Sequence, residues 1–348
     1  VIETVLGPIP AEAAGRVSMH DHLLTDARIL HAPLSAERAA APGLPGPDAK
    51  VRPENLGFLH WNLLALEDNL VLDDAALAAD ELRRAGALGQ GTMVDLTSWG
   101  LGPSPAELPA IARAAGVNVV AGVGVYLDRP HPEWIARQSR EELVDTFMRA
   151  LEEELEEGCG FRAGIIGILG TGEPITDPEM RVLLAASEAA GRTGAAVVVR
   201  TDAVTKPGLG LLEAMAAAGC PAEQVIFGNV DEYIDLAYHR ELAAAGATLE
   251  WCFGNEAGLR PGLREPSDGE RIAALVELLA QDGMAERCVL GGSVWTKTQL
   301  RAFGGCGYEH LLRNVVPALQ AGGVSDAAVE TMLVSNPARL LDRSEVGR

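Results

Sequence analysis

The chain has 348 residues, 48% of them hydrophobic, and a formal net charge of −21. That length and apolar content suffice for one large core, the acidic balance excludes the basic stripe of a nucleic-acid partner, and no apolar run reaches the roughly 18 residues of a membrane span. Lysine stands only at positions 50, 206 and 297, and the cysteines Cys159, Cys220, Cys252, Cys288 and Cys306 are scattered without a CxxC pair, as expected of reduced thiols in a cytoplasmic protein.

Residues 1–10 carry neither the charged nor the apolar region of a secretory leader. The first element is the run RVSMHDHLL, residues 16–24, where a strand would send His20 and His22 to one face and Asp21 to the other. Residues 30–56, which include APGLPGPDAKVRPENL, form a proline- and glycine-rich loop after that strand, placed to act as a lid. An amphipathic alanine-rich helix over 73–87 leads to a strand at 92–96 (TMVDL), and a further strand follows at 117–125 (VNVVAGVGV). The GVGVYLDR in that region lacks the third glycine of a dinucleotide fingerprint. The acidic stretch 141–157 reads as a helix with a solvated face. Strands at 163–169, 195–199, 224–227, 248–252 and 287–290 then alternate with helices at 177–192, 208–218, 234–245 and 267–282. Eight strands with helical crossovers predict a (β/α)8 TIM barrel, a single domain over residues 1–348.

In such a barrel the residues that end each strand face the site. They are His20 and His22; Asp95, Ser98 and Trp99; Tyr126; Gly167, Thr171 and Glu173; Arg200 and Asp202; Asn229, Asp231 and Glu232; Trp251 and Cys252; Val294, Trp295 and Lys297. Two histidines on one strand face are half of a metal site. No G-x-S-x-G elbow occurs, and no sequence neighbour marks Cys252 as an activated thiol.

The segments IETVLGPIP, MHDHLL, 54–102 (ENLGFLHWNLLALEDN to SWGLG), VNVVAGVGVYLD, 162–203 (RAGIIGILGTGEP to VVVRTDA) and SNPARLL occur in order along nearly the whole chain. Through them the chain resembles the phosphotriesterase family of the amidohydrolase superfamily, which includes phosphotriesterase-like lactonases. The resemblance implies a TIM barrel, a dimer, and two-metal hydrolysis by a bridging hydroxide. It also implies metal ligands from the first-strand His-x-His, a carboxylated lysine or glutamate, two later histidines and a last-strand aspartate. Here only His20 and His22 match; the other four positions hold Gly167, Arg200, Asn229 and Val294. Arginine keeps its proton and repels a cation, while glycine and valine side chains offer no donor.

The expected site is therefore free of metal and of any cofactor. His20, His22, Arg200 and Glu173 are the candidate catalytic groups: imidazoles and a carboxylate for proton transfer, a guanidinium for an oxyanion. Tyr126, Asn229 and Asp202 are the candidate polar binding groups, and Trp99, Trp251 and Trp295 the candidate apolar walls. The expected partner is a small anionic or carbonyl-bearing molecule undergoing cyclisation, elimination, isomerisation or hydrolysis. Arg200 is open to pairing with Asp202 or Glu232. Two other readings stay open: a binding protein without turnover, and a mononuclear hydrolase using His20 and His22 with Glu173, Asp95 or Asp202.

Overall fold

A computed structural model describes residues 1–343 apart from 36, 38–40, 47, 128–130, 203, 257, 261 and 262. Eight parallel strands follow one another around a barrel: β1 (Arg16–Asp21), β2 (Gln90–Asp95), β3 (Asn118–Val123), β4 (Ile165–Gly170), β5 (Val197–Arg200), β6 (Val225–Phe227), β7 (Thr248–Cys252) and β8 (Cys288–Gly291). The chain beyond β8 closes the ring on β1, with Gly292 N donating to His20 O at 3.1 Å and His22 N to Val294 O at 3.0 Å. A Cβ at Gly291 would lie 2.9 Å from the His20 Cβ, so this closure needs a residue without a side chain.

The barrel is filled by branched side chains, among them Val17, Met19, Val94, Leu96, Val120, Ile165, Val198, Ile226 and Val289. Val17 and Met19 share that interior, yet the next inward groups are His20 and His22. A register shift between Ser18 and Asp21 falls where the alternation changes phase. Leu340 and Leu341, from the SNPARLL segment, join the same cluster, and Asn336 Nδ2 donates to Cys288 O at 2.7 Å.

The outer helices are α1 (Ala75–Gly86), α2 (Leu108–Ala115), α3 (Arg140–Glu152), α4 (Asp177–Thr193), α5 (Gly208–Ala217), α6 (Leu236–Ala244) and α7 (Asp268–Leu279). Their ends are written in the sequence. Ser139 with Glu142, Thr176 with Glu179 and Ser267 with Glu270 form capping boxes that start α3, α4 and α7. Gly116 and Gly194 take left-handed conformations that stop α2 and α4. The acidic helix ends at Glu152, short of the expected 157. Part of the expected 30–56 loop, residues 36, 38–40 and 47, lies outside the described residues. Among the described residues no helix is long and apolar enough to cross a membrane.

Candidate active site

The carboxyl ends of the strands open into a cavity of about 430 Å³. It is lined on one side by His20, His22, Tyr126, Arg200, Asn229, Glu232 and Trp295, and on the other by apolar groups that include Leu30, Leu64, Leu101 and Leu127. Six of the ten expected site residues therefore come together: His20, His22, Arg200, Tyr126, Asn229 and Trp295. Leu30 and the following His31 and Ala32 belong to the start of the long loop, so that loop contributes wall to the cavity.

The two imidazoles are fixed by different partners. His20 Nδ1 lies 2.8 Å from Glu250 Oε2, and His22 Nδ1 lies 3.0 Å from Thr97 Oγ1. With each Nδ1 engaged, Nε2 is the nitrogen left to the cavity. The rings stand edge to face with centroids 5.3 Å apart. Burial, and then the charge of Arg200, lowers the His20 pKa to about 3. Burial and the neighbouring His20 hold His22 well below the usual imidazole range. Burial pushes Glu250 up to about 8. The pair is thus neutral at pH 7, with the Glu250 carboxyl O–H donating to Nδ1 and His20 presenting Nε2–H to the cavity.

Arg200 ends β5 with its guanidinium inside the cavity. Nε donates to Glu232 Oε1 at 3.0 Å, Nη2 to Oε2 at 2.7 Å, and Nη1 to the Tyr126 hydroxyl at 3.2 Å. Burial opposes its charge, but Glu232 and Tyr126 outweigh burial and raise its pKa. Between the two expected neutralisers, the structure selects Glu232. Asp202 instead accepts from Val204 N at 3.0 Å and Thr205 N at 2.8 Å, closing its own turn.

The other expected residues lie elsewhere. Glu173 is exposed on the loop after β4. Trp99 donates to Glu156 Oε1 at 3.0 Å and stacks edge-on against Trp134, away from the cavity. Trp251 is fully buried and meets the His239 ring on α6. It points outward because its neighbours Glu250 and Cys252 point inward, as strand alternation requires. Asp95 is committed to backbone, accepting from Leu23 N and Thr97 N at 2.9 Å each.

Glu250, the partner of His20 Nδ1, is a group that the sequence did not single out. Its signal was a charged residue inside an apolar strand, TLEWC, two positions before Cys252. Glu265 was missed too. It lines the cavity near Glu232, and burial, with the repulsion of Glu232, raises it to about 8.

Two metals do not fit these residues. A Cβ at Gly167 would come within 2.8 Å of the Val198 Cβ, so β4 has no room for a bridging side chain. Val294 is buried and contributes its backbone N–H to Asp21 Oδ1. Arg200 is a cation that cannot donate a lone pair. His20 Nδ1, Glu250 and Cys252 Sγ do converge within 4.8 Å, but that nitrogen is the one turned away from the cavity.

The model of the phosphotriesterase family matches residues 1–341. The N-acetyltaurine hydrolase of Danio rerio is 30% identical over 349 aligned residues, covering 98% of this chain and 97% of that protein. A resiniferatoxin-binding protein of Rhodobacter sphaeroides superposes with a TM-score of 0.91 at 31% identity, over 100% of this chain and 96% of that one. The phosphotriesterase homology protein of Escherichia coli, solved with phosphate in its active site, superposes at 0.75 with 26% identity, over 95% and 99% of the two chains.

Proposed function

This chain belongs to the phosphotriesterase family, and from that premise we propose that it is a hydrolase of a small carbonyl compound that works without the family's pair of metals. The observation that carries the reading is the Arg200 guanidinium, held inside the cavity by Glu232 and Tyr126 beside two neutral imidazoles. A guanidinium fixed in a shielded pocket offers an oriented N–H to a developing oxyanion, the role that a metal plays elsewhere in the family. The hydrolase names of the N-acetyltaurine-cleaving relatives support the reaction class.

In this reading the substrate carbonyl oxygen accepts from His20 Nε2–H and from Arg200. His22 Nε2 takes a proton from water as its oxygen bonds to the carbonyl carbon, then returns that proton to the leaving oxygen or nitrogen as the acyl bond breaks. Glu250 sets the His20 tautomer and Glu232 sets the plane of Arg200, so both are positioning residues. Asn229 and Trp295 bound the acyl end, and the leucine wall takes an apolar tail. Arg200 is already paired, so a neutral carbonyl suits the site better than an anion. Leu30, His31 and Ala32, at the start of the expected lid, form part of the wall.

One observation favours a second reading, binding without turnover: burial holds both histidines far below the range of an efficient base. The similarity to a resiniferatoxin-binding protein agrees with it.

The experiment is turnover on a panel of acyl esters, lactones and N-acetyl amides, with metal content measured in parallel on enzyme before and after chelation. Turnover that survives chelation and falls about 10²–10⁴-fold in His22→Gln is expected. Activity that needs about one bound metal per chain would overturn the metal-free reading, and saturable binding with no turnover would establish the second.

A further inference from the structure

A second cavity of about 490 Å³ adjoins the first, the two sharing Asn255 and Glu265 in their walls. It is lined by Leu56, Leu59, Phe253 and Leu311, and by three groups that the proposed reaction does not use: Cys306, His310 and Asp268. The thiol is exposed, whereas Cys220, Cys252 and Cys288 are buried.

His310 Nε2 lies 2.5 Å from Asp268 Oδ2. Asp268 is itself fixed, its Oδ1 accepting from Gly254 N at 2.9 Å and its own N–H donating to Glu256 Oε1 at 2.7 Å. Cys306 and His310 lie one turn of chain apart on the wall of this cavity. Asn314 Nδ2 lies 2.9 Å from His310 Nδ1; rotating that amide presents its oxygen to a protonated ring. Against the pull of burial, Asp268 and Cys306 raise His310 to about 9. The other charged or titratable groups facing this corner are Arg271, whose Nη1 lies 3.4 Å from Asp268 Oδ1, and Glu256, Glu265, His60 and Tyr308 on the cavity wall.

We propose that Cys306, His310 and Asp268 form a second, nucleophilic site that takes soft carbon electrophiles, α,β-unsaturated carbonyl compounds of the size of the cavity, as covalent adducts. Asp268 holds His310 as the imidazolium, and the thiol gives its proton to water in the field of that cation. The sulfur then bonds to the β-carbon, the electron pair of the C=C bond moves to the α-carbon, and a proton from water enters there. No oxidant or cofactor enters. A cysteine beside a histidinium is the arrangement that makes a thiol reactive, while a buried thiol is inert.

The test is N-ethylmaleimide addition at pH 6.5 on the full chain, read by peptide mass spectrometry, with N-acetylcysteine as reference thiol. Cys306 should react at least about tenfold faster than the reference, and His310→Gln should remove that advantage. The wild-type ratio decides even if the variant fails to fold: a ratio near one overturns the proposal. So does a fast reaction that His310→Gln leaves unchanged. Neither result depends on the reaction proposed for the first cavity, which uses none of these three residues.

Discussion

The Arg200 guanidinium and the Glu232 carboxylate meet edge to edge: Nη2 donates to both carboxylate oxygens, at 2.8 and 2.7 Å, and Nε adds a third contact at 3.0 Å. This fork fixes the guanidinium plane, and Nη1 is held by Tyr126. Both ends of the pair are largely shielded, with side-chain exposures of 26% and 17%, so their attraction is stronger than on an open surface. The pair leaves that end of the cavity close to neutral.

Glu232→Gln removes the counter-charge and leaves Arg200 in the cavity unpaired. Fully buried pairs lose about 3–5 kcal/mol when one partner is removed, and this partly exposed pair should lose less. Small carboxylates should then bind to the variant more tightly than to the parent. Denaturant midpoints and calorimetric titration with acetate check both outcomes; unchanged acetate affinity would show that Arg200 has another anion within reach.

The His20–Glu250 pair gives a pH signature. Glu250 sits near 8 in the folded chain against an ordinary 4.5, so the native state holds a proton that the unfolded state has released, and stability falls as pH rises between those values. His20 sits near 3 against 6.5, so its contribution runs the other way, rising with pH from 3 to 6.5. The two slopes oppose each other from 4.5 to 6.5, and the Glu250 slope, at most about 1.4 kcal/mol per pH unit, stands without that offset from 6.5 to 8. Glu250→Gln should flatten that upper limb in unfolding curves taken at intervals of pH. A limb equally steep in the variant would assign it to Asp21 or Glu265, whose carboxyls are raised into the same range.

The barrel was legible because its signals are local: apolar strand runs, capping boxes at Ser139, Thr176 and Ser267, and stop glycines at Gly116 and Gly194. The histidine pair and Arg200 were legible because strand ends converge. Trp251 was not, because which parity of a short strand faces inward depends on register, and Glu250 and Cys252 took the interior. Asp202 and Glu232 were equally plausible partners for Arg200 in sequence. A turn closed by Asp202 on its own backbone decides between them, and that is a property of loop conformation. Glu173 fell outside for the same reason, since the loop after β4 carries it into solvent.

Gly292→Ala should disturb closure of the barrel. The added Cβ would lie 2.5 Å from Asp21 Oδ1, which accepts from Val294 N at 3.1 Å, while the other oxygen accepts from Ser18 Oγ at 2.6 Å. Asp21 must move or the strand ends must part. Overpacking of this kind costs about 1–3 kcal/mol. Any turnover should fall by more than the stability loss explains, because His20 is the residue next to Asp21. A variant with parental stability and turnover would show that the closure can yield.

Arg271 makes the strongest case for a buried charge that serves the frame. Its side chain is fully buried on α7, with Nε 2.7 Å from Asp231 Oδ2 and Nη2 2.9 Å from Glu265 Oε2. Asp231 in turn accepts from Cys252 N at 2.7 Å, so the cation ties α7 to the end of β7 between the two cavities. Arg271→Met would strand Asp231 in an apolar setting and should cost about 3–5 kcal/mol. Adding Asp231→Asn to that variant removes the stranded charge and should return part of the loss, since most of the cost of breaking such a pair is the partner left behind. Urea unfolding of the parent, both single variants and the double closes the cycle. If the double variant is as unstable as the sum of the singles, Arg271 contributes through packing of its stem, and the ion pair does not hold the two elements together.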